Sequence, residues 1–140
     1  AVPEARLALA DDERTHALWP HPFACLLRVS LDDGLRIALE VTNTGDAPFA
    51  FTGALHAYFR VADVEQVTVH GLERLRFRDQ LARVESTEGQ APLRIAGPVD
   101  RIYLDAAAPV VLHDAIAGRR LRITMSGFRD MVVWNPAEQG

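Results

Sequence analysis

Phe23-Ala-Cys-Leu-Leu-Arg-Val-Ser-Leu31-Asp-Asp-Gly34-Leu35-Arg-Ile-Ala-Leu-Glu-Val41 is two alternating runs joined by a turn. Phe23, Cys25, Leu27, Val29 and Leu31 fall on one face of the first run. Leu35, Ile37, Leu39 and Val41 alternate with Arg36, Ala38, Glu40 and Thr42 in the second. A period of two is that of a β-strand, whose successive side chains point to opposite faces. Asp32-Asp-Gly34 is a strong turn signal, so the stretch predicts a β-hairpin.

The same pattern continues outward. Downstream, Asn43-Thr-Gly-Asp46 is a turn with Pro48 just after it, and a strand is expected from about 50 to 61. Val64 to His70 is β-rich, with Val67 and Val69 on one face. Gly71 to Arg83 reads as strand or irregular, with Arg74, Arg76 and Arg78 at strand spacing; a solvated outer face is the ordinary reading of such a cluster. Val84 to Ile95 reads as two short segments. Further strands are expected at Asp100–Leu104, at Pro109–His113, around Leu121, Ile123 and Met125, and at Met131–Trp134. Upstream, Trp19-Pro-His-Pro22 is a rigid connector, because two prolines remove donors and fix φ. Asp11 to Leu18 fits a turn or one or two helical turns, and residues 5–9 a short strand. About ten short strands with regular turns and almost no helix predict an all-β fold, an antiparallel β-sandwich or barrel.

Composition narrows the function. A chain of 140 residues is the size of one domain, and its apolar content of 49% and charged content of 24% are those of an ordinary globular protein. A net charge of −4 argues against a nucleic-acid surface. No apolar run is long enough to span a membrane. All 15 basic residues are Arg. The lone Cys25 cannot form an internal disulfide and reads as a small buried hydrophobe, which makes a reducing, cytoplasmic setting the expectation. Phosphate loops, the GxSxG elbow, CxxC and HExxH are absent, and the five His are scattered, so neither a metal nor a cofactor is expected. The chain starts without Met and ends at Trp-Asn-Pro-Ala-Glu-Gln-Gly, which reads as a piece of a longer protein.

The chemistry is best placed on Thr52-Gly-Ala-Leu-His-Ala-Tyr-Phe-Arg-Val61. As a strand it would set Leu55, Ala57, Phe59 and Val61 toward a core, and His56, Tyr58 and Arg60 in a row on the other face. An imidazole, a phenol and a guanidinium together can line a groove for a polar ligand. Most half-buried strands show such alternation and bind nothing, so the structural reading stands beside the functional one.

Six blocks occur in order: Trp19-Pro-His-Pro-Phe23, Asn43-Thr-Gly-Asp-Ala-Pro-Phe49, Ala54-Leu-His-Ala-Tyr-Phe59, Gly71-Leu72, Asp100-Arg-Ile-Tyr-Leu104 and Val132-Val-Trp-Asn-Pro136. Together they resemble the hexose-6-phosphate mutarotases, or glucose-6-phosphate 1-epimerases, of the galactose-mutarotase-like (aldose 1-epimerase) superfamily. The resemblance covers essentially all of this chain but only part of the family's large β-sandwich. It implies that residues 1–140 are a segment of a single supersandwich domain, lacking N-terminal and C-terminal parts. It also implies a catalytic role for His56 and a substrate-binding role for Asp100. The family's catalytic glutamate lies downstream of the VVWNP block, and Glu138 lacks its surrounding motif. The arginines that hold substrate lie mostly upstream.

Mutarotation passes through the open-chain aldehyde. A base takes the anomeric hydroxyl proton while an acid protonates the ring oxygen; rotation about C1–C2 and reclosure reverse the roles. An imidazole, with an ordinary pKa of about 6.5, suits the acid. A carboxylate such as Asp100 can hold the sugar hydroxyls. Tyr58 and Arg60 are candidates to pack on the sugar or orient the imidazole; a rim aromatic and a surface charge are their structural readings. The expectation is a hexose-phosphate mutarotase acting as a monomer or weak homodimer on a small-molecule sugar phosphate, with no nucleic-acid or membrane partner. The segment alone is expected to be inactive. The alternatives are an epimerase of free aldoses and a non-catalytic carbohydrate-binding β-sandwich.

Overall fold

In the computed structural model, which describes residues 2–137, eleven strands follow one another with one short helix and one 3-10 turn between them. Two compact units divide the chain, Ala1–His56 and Ala57–Gly140.

The first unit is built on the hairpin. Strands β1 (Glu4–Ala10), β2 (Phe23–Leu31) and β3 (Leu35–Asn43) form an antiparallel sheet with β2 in the middle. The register places Leu7, Leu27 and Leu39 in one row and Leu9, Cys25 and Val41 in the next. One face is therefore apolar across all three strands, and the other carries the Arg28–Glu40 ion pair. Leu7, Leu31 and Leu35 on that apolar face are more than half exposed among the described residues. Cys25 is half-buried rather than fully enclosed.

Helix α1 (Glu13–Leu18) starts at Asp12, whose carboxylate accepts from the N–H groups of Arg14 and Thr15. The Thr15 hydroxyl accepts from the Asp12 N–H in return, so the cap satisfies three N–H donors. The proline-rich connector behind it anchors an aromatic cluster. Trp19 meets Phe49 edge-on at 4.7 Å, Phe23 at 5.1 Å and His21 at 5.0 Å between ring centroids. Two of the blocks quoted above, Trp19–Phe23 and Asn43–Phe49, thus pack on each other. The turn between β3 and Phe49 is held by Asn43, whose side-chain oxygen accepts from the Gly45 N–H and whose amide donates to the Ala47 carbonyl.

The second unit is a sandwich of two four-stranded antiparallel sheets. One has β4 (Val67–His70), β7 (Leu93–Arg94), β9 (Val110–Asp114) and β10 (Arg119–Ile123) in the order β10-β9-β4-β7. The other has β5 (Arg76–Asp79), β6 (Val84–Thr87), β8 (Val99–Tyr103) and β11 (Met131–Asn135) in the order β11-β8-β5-β6. Val67, Val69, Leu93, Val110 and Leu112 of the first sheet pack against Phe77, Val99 and Tyr103 of the second, with Leu72 fully buried between. Alternation within each strand produces this: odd-numbered residues of β8 face the core and even-numbered ones the outside.

Three expectations change. The stretch 50–61 joins no ladder, and Phe51 to Arg60 are all exposed. Alternation signals a strand only where a neighbour offers backbone partners and a core takes the oily face; no strand pairs with this stretch among the described residues, and of its oily face Val61 packs on the core. Val64–Gln66 is a 3-10 turn capped by the Asp63 carboxylate, so β4 starts only at Val67. Arg74 leaves the strand spacing of its cluster, having a left-handed backbone with φ 66° before β5 begins.

Candidate active site

Asp100 lies on the central strand β8, on the outer face of its sheet. Its neighbour across the ladder is Trp134 of β11, and the next outward pair is Ile102 with Val132. Paired residues on one face bring their Cβ atoms within about 5 Å, so the Asp100 carboxyl and the Trp134 indole stand side by side. The indole is 53% exposed. The ring of Tyr58 meets it edge-on, 6.3 Å between centroids at 89°. Tyr58 is itself 77% exposed. A carboxylate and two open aromatic rings therefore share one solvent-facing surface.

The carboxylate of Asp100 differs from the other aspartates of this unit. Asp63, Asp79, Asp105, Asp114 and Asp130 each accept a hydrogen bond from an N–H group. The Asp100 carboxylate accepts none among the described residues; its backbone carbonyl accepts from the Gln80 N–H at 2.8 Å. A half-buried carboxylate with open acceptor positions can take hydroxyl donors from a ligand.

Its mount is rigid. On the core face of β8, Arg101 donates to Asp79 at 3.2 Å and to Glu88 at 3.0 Å, with its guanidinium 4.5 Å from the centre of the Phe77 ring. Fully buried Tyr103 donates its hydroxyl to the same Glu88 oxygen at 2.5 Å. Burial pushes the Tyr103 phenol well up, and the Glu88 carboxylate adds to the rise. The Ala82 N–H holds the Asp79 carboxyl below its usual range, with Arg101 assisting. Residues 99–103 are thereby pinned on one side while Asp100 stays open on the other.

The other candidates are placed as follows. His56 is exposed, and its ring makes no hydrogen bond among the described residues. It is the last residue of the first unit, whereas Tyr58, Arg60 and Asp100 belong to the second. The side chain of Arg60 makes no ion pair among the described residues; its carbonyl accepts from the Arg119 guanidinium. Buried Asp114 accepts from the Ala62 N–H at 3.1 Å and lies 3.6 Å from Arg119, so the segment after Tyr58 is clamped to the end of β9. Glu138 lies outside the described residues. Among those described, no group of three or more His, Cys, Asp or Glu side chains could hold a metal ion. No helix is long and apolar enough to cross a membrane.

Sequence reading gave no site role to Trp134, Glu88 or Asp114. The alternation of β11 does place Val132 and Trp134 on one face. That β11 lies beside β8 is a long-range pairing with no local signal.

Comparison with known proteins agrees with the blocks. The chain matches the aldose 1-epimerase family over residues 3–140. It is 36% identical over 135 residues to a protein of Cenchrus ciliaris provisionally named glucose-6-phosphate 1-epimerase, an alignment covering 93% of this chain and 41% of that protein. A Salmonella typhimurium protein with the same provisional name is 35% identical over 131 residues, covering 91% and 42%. The crystal structure of YeaD from Salmonella typhimurium, provisionally described as a mutarotase, superposes with a TM-score of 0.87 at 32% identity, covering 97% of this chain and 45% of that one. The chain spans less than half the length of these relatives. It belongs to the aldose 1-epimerase family.

Proposed function

We propose that the chain is part of an enzyme that interconverts the α and β anomers of a hexose 6-phosphate. The observation that carries this reading is the open carboxylate of Asp100 on an exposed, aromatic-flanked sheet face, in a chain of this family. Asp100 accepts hydrogen bonds from the sugar hydroxyls and fixes the ring in register. His56, whose ring is engaged by none of the described residues, protonates the ring oxygen as the C1–O bond breaks. A glutamate from beyond residue 140 takes the proton from the anomeric hydroxyl, leaving the aldehyde. Rotation about C1–C2 precedes reclosure on the other face, with both protons returned. The apolar face of the β1-β2-β3 sheet supports the same reading, because it is a core face that further chain would cover.

Anomer exchange at equilibrium, followed by saturation-transfer NMR on the full-length protein, tests the proposal. Catalysed exchange of glucose 6-phosphate well above that of glucose is the expected result. Equal rates on both sugars would make it an epimerase of free aldoses, and binding without exchange a carbohydrate-binding module.

A further inference from the structure

We infer that Trp134 is the stacking platform for the sugar ring, with Tyr58 forming its edge. The inference rests on the proposed sugar-phosphate reading and adds to it the residue that recognises the pyranose itself. A hexopyranose with mostly equatorial hydroxyls presents polar groups around its rim and C–H bonds on its two faces. A site for it needs a flat apolar surface beside acceptors for the rim. The outer face of the β11-β8 ladder supplies both.

Trp134 stands directly opposite Asp100 in the register, so a ring lying on the indole presents its edge hydroxyls to that carboxylate. The Tyr58 ring stands at 89° to the indole, a wall against a floor. The perpendicular contact fixes the tilt of the indole, which stays more than half exposed. Both aromatics are open, Trp134 at 53% and Tyr58 at 77% exposure. Packing among the described residues does not account for this placement. The core-facing residues of β11 are Met131 and Val133, and Trp134 points to the opposite side. A ligand that uses the ring gives a reason for its being there.

The test is binding, measured apart from turnover. Titration calorimetry with glucose 6-phosphate would be run on the full-length protein and on its Trp134→Ala and Trp134→Phe variants, with thermal melts as the folding control. The expected result is a Kd raised about tenfold or more by Trp134→Ala and largely restored by Trp134→Phe, since an aromatic contact of this kind is worth roughly a factor of ten. Unchanged melts would accompany both variants. Equal Kd values for wild type and Trp134→Ala would overturn the stacking role, and so would a wild type that binds no sugar phosphate. A tenfold loss in a protein that binds but shows no anomer exchange would uphold the platform while removing the mutarotase reading.

Discussion

Asp100 and Trp134 face each other across the β8-β11 ladder, and the carboxylate beside the indole is the one aspartate of its unit that accepts no hydrogen bond among the described residues. A group left open in this way contributes little to folding and much to a ligand. Asp100→Asn is expected to leave the melting temperature of the full-length protein unchanged and to lower kcat/KM by about 10- to 100-fold, the cost of a lost charged hydrogen bond. Melting and anomer-exchange kinetics on one preparation check both halves.

The opposite face of β8 is expected to behave in the reverse sense. Tyr103→Phe removes the hydroxyl that donates to Glu88 and leaves that carboxylate to Arg101 and the Gly89 N–H. Stability should fall by about 1–3 kcal/mol in urea unfolding. Activity per folded molecule should hardly change, because the altered group lies on the core side.

Asp114 makes stability depend on pH. Its carboxyl is held below the ordinary value of 3.8, first by the Ala117 N–H, then by that of Ala62 and by Arg119, against the opposing effect of burial. A folded-state value below the unfolded one means stabilisation that is complete above the unfolded value. It is lost as pH falls through the folded value. Asp114→Asn should therefore be less stable than wild type at pH 7, and the gap should close below about pH 4. Denaturant midpoints across pH 2 to 7 measure it.

Gly71 tests the close approach that lets the chain turn after β4. Its φ is +92°, and a Cβ placed there would sit 2.5 Å from the Pro109 carbonyl oxygen. Gly71→Ala is expected to destabilise by about 1–3 kcal/mol through the strained conformation, with the clash added.

The hairpin from Phe23 to Val41 was legible because its determinants are local: a period of two on both sides of Asp32-Asp-Gly34. Strands of the sandwich could be found for the same reason. Their pairing could not, since which strand lies beside β8 depends on contacts far apart in sequence. Arg101 shows the limit of polarity as a guide. A charged residue reads as outward, yet it sits on the core face, with Asp79 and Glu88 as its partners. The stretch 50–61 failed differently. Its alternation is real, but alternation records what a residue is suited to bury, and Leu55 and Phe59 stay partly exposed outside any strand. Periodicity offered His56 and the blocks gave it a role, whereas Asp100 came from the blocks alone. The structure adds that Trp134, from another block, stands opposite Asp100 and that Tyr58, from a third, meets its ring.

The central claim is that a proton passes through His56. Saturation-transfer NMR on glucose 6-phosphate, comparing the full-length protein with its His56→Asn variant at equal folded concentration, tests it most directly. Loss of catalysed anomer exchange, with the melting temperature and the affinity for the sugar phosphate retained, is the predicted result. Exchange at the wild-type rate in the variant would contradict it.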